Sequence, residues 1–234
     1  MKKITIAILA TLFSYSIASA ELGVSIGVSG QVGVFHATGT ESHDLEKSSE
    51  DATGVVGYTS IFIEKKLSFL PGPLSRLSIG YDHVPETLSS EEAQNTRTNY
   101  NDGVLADTSG CVSGVGGTNC PLVDNKVKLD FEDLNTTYIS FDVTDNLYVK
   151  AGWVTVDIIT KETLGTGSTY GNTSIDGNSL GIGWAMKRDN GLFMRFEANH
   201  TEFDNASVTG SGTNIVTLNN LEGAMGKISI GKTF

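Results

Sequence analysis

Histidines are the residues of this sequence best suited to proton-transfer chemistry. The chain has four of them, His36, His43, His83 and His200. A histidine that contacts both a hydroxyl and a carboxylate can activate a nucleophile for acyl transfer. The residues that could complete such a site are Ser42, Asp44 and Glu202. Because no spacing among these residues selects a triad, we predict no catalytic residues.

Carboxylates are concentrated in two polar stretches of the chain. The first contains Glu41, Asp44, Glu46, Glu50 and Asp51, and the second contains Glu86, Glu91, Glu92, Asp102 and Asp107. Oxygen ligands at this density can bind Ca²⁺, but the spacing of an EF-hand loop is absent. We therefore expect solvated acidic loops and predict neither a metal site nor a cofactor.

Cys111 and Cys120 are the only cysteines of the chain. No histidine lies beside them at the spacing of a metal site, and an even pair in an exported protein favours a disulfide. The predicted bridge would close the Gly-rich stretch from Val112 to Asn119.

The first residues have the composition of a secretory signal peptide. Lys2 and Lys3 give a positive start, an apolar run follows, and Ala18-Ser19-Ala20 supplies small side chains for cleavage. The apolar run is too short for a transmembrane helix, which needs about 20 residues. We predict a signal peptide over 1–20 and one exported domain over 21–234.

The exported domain is strongly acidic. Without Lys2 and Lys3 it has 14 basic residues against 27 acidic ones, a formal charge of −13. This charge argues against nucleic acid as a partner and against docking on an anionic membrane surface. The low Pro and high Gly content fits two kinds of β protein, a secreted soluble sandwich or a membrane barrel.

Alternation with a period of two is the main structural signal. Even positions from Leu22 to Val34 are mostly apolar, whereas the odd positions between them are small or polar. Similar segments follow near 55–67, 76–84, before Val143, after Leu147, and at 179–187, 192–201 and 221–234. A sandwich core and a lipid-facing barrel surface would both produce this pattern.

Connection lengths favour the barrel. Short links contain Pro71-Gly72-Pro73, Thr144-Asp145-Asn146 and the hairpin signal Asn190-Gly191. They alternate with long polar links over 38–54, 85–124, 160–178 and 204–214. We therefore predict an all-β fold, an eight-stranded antiparallel up-and-down transmembrane β-barrel with short periplasmic turns and long extracellular loops.

Strand parity divides the side chains between two faces. Lipid-facing residues would include Ile79, Tyr81, Ile139, Trp153, Leu180, Ile182, Trp184 and Phe196, although on the second strand Tyr58 and Phe62 compete with Ile61 and Ile63. The interior would hold a charge network of Glu64, Asp82, Asp142, Lys150, Lys187, Arg195, Glu197 and Lys227. Mixed signs indicate mutual pairing, so we predict a packed polar plug in preference to a gated ion path.

The C-terminal segment carries a resemblance. Ile228, Ile230 and Phe234 share one parity, which resembles the signal that the bacterial barrel-assembly machinery recognises, although Lys232 departs from the pattern. The layout from Glu21 onward resembles the small eight-stranded outer-membrane barrels of the OmpA/OmpX type. The resemblance implies an outer-membrane location, contact with lipid and lipopolysaccharide, and delivery by periplasmic chaperones and the assembly machinery. It implies no biochemical activity.

These inferences favour a non-enzymatic outer-membrane barrel with a structural, envelope-integrity or surface-contact role. A small porin-like channel for ions or small solutes is the first alternative. It would need water between the charged interior residues. A lipid-modifying enzyme at the rim is the second alternative, and it would need histidine, serine and a carboxylate to converge there.

Overall fold

The computed structural model describes residues 23–43, 46–90, 92–98, 122–164, 169–211 and 215–234, and most of these residues are in strands. The strands are β1 (Val24–His43), β2 (Glu46–Lys66), β3 (Leu77–His83), β4 (Leu88–Ser89), β5 (Ala93–Thr98), β6 (Leu122–Asp142), β7 (Leu147–Leu164), β8 (Thr173–Lys187), β9 (Leu192–Phe203), β10 (Ala206–Thr209) and β11 (Ile215–Thr233). A 3₁₀ helix spans Gly72–Arg76. Within the described ranges, no helix combines the length and apolar character needed to cross a bilayer. The predicted signal peptide and both cysteines lie outside the described residues.

Antiparallel pairing closes the strands into a ring. The first and last strands pair from Ser25↔Thr233 to Ser42↔Ile215. β3, β4 and β5 share one position, because all three pair with β6 in succession. β10 similarly continues the position of β9 beside β11. The described strands therefore fill eight positions, which confirms the predicted fold class.

The two ends of the described chain meet where the ring closes. The Phe234 N–H donates to the Val24 carbonyl at 2.8 Å, and the Val24 N–H donates back to the Phe234 carbonyl at 3.3 Å. Ile228 and Ile230 face outward from β11 and are exposed. Closure satisfies the backbone groups that an open sheet would leave unpaired at its edges.

The two ends of the barrel differ. The turn end carries the links 67–76, 143–146 and 188–191, and the opposite end is here called the hairpin end. There the strands continue into stretches that were predicted to be loops, since β1 and β2 stay paired as far as His43↔Glu46. The loop prediction was too broad because polar residues also extend the ladder. For example, the Thr38 hydroxyl donates to Asp51 at 2.8 Å.

Outward side chains form an apolar belt around the ring, as parity predicts. Its exposed members include Val32, Val34, Ile79, Tyr81, Ile139, Trp153, Leu180, Ile182, Trp184, Phe196 and Ile228. On β2, Ile63 is exposed in this belt, whereas Phe62 is buried inside the ring. The inward parity of β2 therefore belongs to Tyr58 and Phe62.

Two bulges change the parity near the hairpin end. The β6–β7 register shifts between Glu132 and Asn135, and the β1–β11 register shifts between His36 and Thr38. Asp133 and Asn220 lie at these bulges with φ of 51°, the left-handed region that short polar side chains tolerate best. Because each bulge adds a residue, apolar side chains beyond it point into the barrel instead of outward.

The turn at Gly191 gives a test of the turn end. Its φ is 82°, and an added Cβ would lie 2.4 Å from the Thr233 carbonyl oxygen. We expect Gly191→Ala to lower the free energy of unfolding by about 3 kcal/mol, from both a strained backbone and this clash.

Gly72→Ala is the matched control, because Gly72 also has a positive φ but nothing within 4 Å of an added Cβ. It should cost only about 1 kcal/mol. Urea titration of protein folded into lipid vesicles measures both variants. Equal losses would show that the contact with Thr233 is unimportant.

Candidate functional site

The interior of the barrel nearer the turn end is filled by large side chains that lie over glycines of the neighbouring strand. A Cβ added to Gly80 would lie 2.2 Å from the Tyr138 ring, and one added to Gly183 would lie 2.3 Å from the Tyr148 ring. Phe62 and Phe193 pack beside them with ring centroids 6.2 Å apart. The small residues that alternate along these strands therefore provide the space in which four aromatic rings fit.

Arg195 and Glu64 form a bidentate ion pair across this interior. The two guanidinium nitrogens of Arg195 donate to the Glu64 carboxylate at 2.7 and 3.0 Å. The Tyr138 hydroxyl donates to the same carboxylate at 3.2 Å. Arg195 also lies 4.5 Å from the centroid of the Phe193 ring, a cation–π contact. This single pair joins β9 to β2 across the width of the ring.

Lys150 and Glu197 form a second buried pair. The Lys150 Nζ lies 2.6 Å from Glu197, and the side chains are 9% and 4% exposed. The Tyr148 hydroxyl donates to Glu197 at 2.6 Å, and the Asn199 amide donates to it at 3.4 Å. The carboxylate therefore has three donors, which offset much of the cost of removing it from water.

Lys227 and Asp82 form the third pair, which joins β11 to β3 with both side chains almost fully buried. We define the ion-pair layer as Glu64, Asp82, Lys150, Arg195, Glu197 and Lys227. Its three anions and three cations balance, so within the described interior this layer has no net formal charge. The balance is physically required because an unpaired ion in such a narrow interior would be very costly.

Asp142 and Lys187 lie outside the layer, although parity assigned them to the same network. Lys66 donates to Asp142 at 2.7 Å, and Lys187 is 3.9 Å from the same carboxylate. Lys66 and Lys187 are about half exposed. The two predicted residues belong to a solvated cluster at the turn end. Strand parity could not indicate this, because it fixes the face of a residue but not its depth.

The interior nearer the hairpin end is apolar. The prediction of a polar interior was wrong for this part of the barrel. Val156, Ile158 and Ile175 are buried there, with Leu129, Phe131, Leu134, Phe203, Leu218 and Leu221 packed around them. The signal was present on β7, since Val154, Val156 and Ile158 share the inward parity of Lys150. On β6 and β11 the bulges hid it, because they invert the parity of Phe131 and Leu218.

His36, His83 and His200 do not form a catalytic site with the side chains that the structure describes. His36 contacts the Thr53 hydroxyl at 3.2 Å, and His83 contacts Asn135 at 2.7 Å. His200 lies 3.1 Å from Glu202 and 3.8 Å from Glu222. Nucleophile activation needs one histidine between a hydroxyl and a carboxylate, and none of these three described histidines has both.

Some carboxylates of the predicted acidic loops lie outside the described residues and others lie within them. Asp44, Glu91, Asp102 and Asp107 lie outside the described residues, and Glu50 and Asp51 are exposed. Among described residues, the carboxylates that come close to a histidine are Glu202 and Glu222 at the rim.

Two stretches match the letter patterns of enzyme motifs but are strands. Residues 177–181 have the Gly-x-Ser-x-Gly spacing of a nucleophile elbow, and 226–233 have the spacing of a phosphate-binding loop. Both motifs need a turn between a strand and a helix, whereas these stretches lie within β8 and β11. The Ser179 hydroxyl is bonded to the Thr201 hydroxyl at 3.1 Å. Neither stretch therefore forms an enzyme site.

The similarity of this chain to known proteins lies in strand arrangement alone. No protein-family model matches the chain, and no curated protein matches its sequence. Solved structures with a similar strand arrangement include the outer membrane protein OprG from Pseudomonas aeruginosa, at 8% identity and a TM-score of 0.45 over 94% of this chain and 100% of that one.

The outer membrane protein AlkL is similar at 12% identity and a TM-score of 0.45, covering 94% of this chain and 95% of that one. The outer membrane protease OmpT from Escherichia coli is similar at 10% identity and a TM-score of 0.42, covering 93% of this chain and 99% of that one. The chain resembles these outer-membrane barrels in its strand arrangement.

The ion-pair layer gives a test with an exposed pair as its control. Lys150→Met leaves Glu197 buried without its cation, so we expect a loss of about 3–5 kcal/mol in the free energy of unfolding. Lys126→Met breaks an exposed pair with Glu92, whose side chains are 43% and 51% exposed. It should cost less than about 1 kcal/mol. Urea titration in lipid vesicles compares the two, and similar losses would contradict a buried layer.

Proposed function

We propose that this protein is a closed, non-enzymatic outer-membrane barrel that supports the envelope and presents its hairpin end to the outside. The observation that carries the proposal is the ion-pair layer, in which paired charges and aromatic rings occupy the lumen where a channel would need water. The turn end would face the periplasm, and the hairpin end would project beyond lipopolysaccharide.

A location in the bilayer is supported by the belt. Leu180, Ile182 and Trp184 on β8 are exposed in one line, and Ile228 and Ile230 continue the surface on β11. A soluble protein that exposed such a continuous apolar band would aggregate. Trp153, Trp184 and Tyr81 carry exposed rings on the outward face, as interfacial aromatic residues do. The Tyr81 hydroxyl donates to Asn135 at 2.7 Å.

A closed lumen is supported by the way the three pairs cross it. They join β2 to β9, β7 to β9 and β3 to β11, so the contacts run in different directions across the opening. Eight strands enclose just enough space for side chains. The porin-like alternative would need the charges to line a water path, whereas here each described anion of the layer contacts a cation directly.

The surface role is supported by the length of the paired strands. β1 and β2 continue as a ladder of polar residues beyond the belt, with Asp51 bonded to Thr38. β7 continues similarly to Leu164. Paired polar extensions of this kind suit contact with lipopolysaccharide or another surface, and a disulfide between Cys111 and Cys120 would stiffen the neighbouring loop.

The proposal includes a route to the membrane. A cleaved signal peptide over 1–20 would export the chain, and periplasmic chaperones would keep it unfolded. The barrel-assembly machinery would then bind the segment that contains Ile228, Ile230 and Phe234. Exposure of both isoleucines on the outward face of the closing strand is compatible with that role.

Fractionation and conductance test the proposal together. The protein should be recovered in outer membranes and migrate faster on gels when it is not boiled, because a barrel stays folded in detergent. Purified protein in a planar bilayer should give no resolvable ionic current.

A variant that empties the layer provides the control for conductance. Glu64→Ala combined with Arg195→Ala removes the bidentate pair without leaving a charge, so small current steps should appear if the layer is what blocks the lumen. Steady current from the unmodified protein, with an ion preference altered by Lys227→Gln, would favour the channel and overturn the closed barrel.

A further inference from the structure

An apolar chamber lies inside the barrel between the ion-pair layer and the hairpin end. Its volume is about 270 Å³. Apolar side chains from several strands line most of its wall, among them Phe35, Val84, Leu88, Phe131, Val154 and Met225. Lumen space that contains water is usually lined by polar residues, whereas an apolar cavity of this size favours an apolar occupant.

The charged floor of the chamber does not select a charged ligand. Lys150, Lys227 and Asp82 all reach the chamber, but each is already paired within the ion-pair layer. A carboxylate or an amine entering the chamber would lose its hydration and find no described counter-ion without a partner of its own. The electrostatics therefore favour a neutral molecule.

Tyr58 adds a preference for one polar atom on that molecule. Its ring lines the chamber, and its hydroxyl donates to the Met225 sulfur at 3.6 Å. A thioether is a weak acceptor. An oxygen acceptor on a ligand would bond to this hydroxyl better than the sulfur does, so the chamber is suited to a molecule with a carbonyl or ether oxygen.

The wall beside the chamber has a seam along β2. Pairing of β2 with β3 runs from Lys66↔Ser78 to Ile61↔His83. In the described residues before Ile61, β2 has β1 as its only paired strand. The carboxylate of Glu86 accepts hydrogen bonds from the backbone N–H of Thr59 at 2.8 Å and from its hydroxyl at 3.0 Å, which caps the edge that β3 leaves.

The chamber reaches the outer surface along this edge. Val55 lies opposite the outward-facing Val34 in the β1–β2 register and is 77% exposed, yet it also lines the chamber. Leu88 and Ser89 line the chamber from the other side of the seam. No ladder spans the seam here among the described residues, and the hydrogen bonds described across it come from one exposed side chain, Glu86.

We propose that the chamber is a binding site for a small, neutral, largely apolar molecule with an oxygen acceptor, which enters through the seam between β2 and β4. This site goes beyond the closed barrel of the proposed function. The ion-pair layer blocks ions whether or not the chamber is occupied, so conductance and binding report on different parts of the interior.

Two probes of nearly equal shape test the chemistry of the site. The probes are 2-acetylnaphthalene, which has a carbonyl oxygen, and 2-ethylnaphthalene, which lacks it. Binding is measured by equilibrium dialysis against the full protein in lipid nanodiscs, with empty nanodiscs subtracted. Both probes should bind, and the ketone should bind about fivefold more tightly through one added hydrogen bond. Tyr58→Phe should remove that preference while leaving 2-ethylnaphthalene binding unchanged.

A matched pair of substitutions on β7 tests the location. Val154→Phe places a larger side chain in the chamber and should abolish binding of both probes. Val149→Phe places the same side chain on the outward face of the same strand, where Val149 is exposed, and should change neither. Gel mobility of unboiled samples confirms that each variant is folded. Equal binding to all variants, or none above empty nanodiscs for the unmodified protein, would overturn the chamber as a site.

The entrance is tested by rates. Glu86→Ala removes the cap on the β2 edge and should speed both association and dissociation of 2-acetylnaphthalene about tenfold, since two charge-assisted hydrogen bonds no longer resist opening. The dissociation constant should be unchanged. Glu50→Ala on the same strand is the control, because Glu50 is exposed and does not line the chamber. Unaltered rates in Glu86→Ala would overturn the seam as the entrance.

Discussion

Neutrality inside a closed wall is the constraint on which the rest of this structure depends. A ring of strands satisfies its own backbone hydrogen bonds, but it also isolates whatever side chains point inward. Six charged residues share the space near the turn end, and their charges balance. The hydroxyls of Tyr138 and Tyr148 also donate to the carboxylates of Glu64 and Glu197, so these two carboxylates accept hydrogen bonds from more groups than their cations alone.

This constraint divides the interior into two chemical zones. Near the turn end, large aromatic side chains need small neighbours, and Gly80 supplies the room for the Tyr138 ring. Beyond the layer, apolar residues line most of the described wall. The bulges at Asp133 and Asn220 mark this boundary, because they redirect Phe131 and Leu218 inward. The bulges in the closed wall therefore determine where the charged part of the lumen ends and the apolar part begins.

Strand identity and parity were readable from the sequence, because a period of two assigns each side chain to a face. Parity placed Glu64, Arg195 and Glu197 in the interior, and it gave the belt correctly at Leu180 and Trp184. Parity does not give depth along the barrel, so it could not separate Asp142 and Lys187, which lie with the solvated groups, from the ion-pair layer. It also failed past each bulge, since one inserted residue inverts the faces. The paired polar strands near Thr38 were not predicted, because backbone pairing there occurs without apolar alternation in the sequence.

The closing pair of β1 with β11 imposes an order of events on folding. Ser29 and Ser229 share a hydrogen bond although 200 residues separate them along the chain. Contacts of such long sequence separation form late, because a large loss of chain entropy must come before they can form. Until β11 is available, β1 has one partner and an open edge, so intermediates resemble unsealed sheets more than smaller barrels. Ring closure is therefore a late, cooperative step, in which β11 pairs with both β9 and β1.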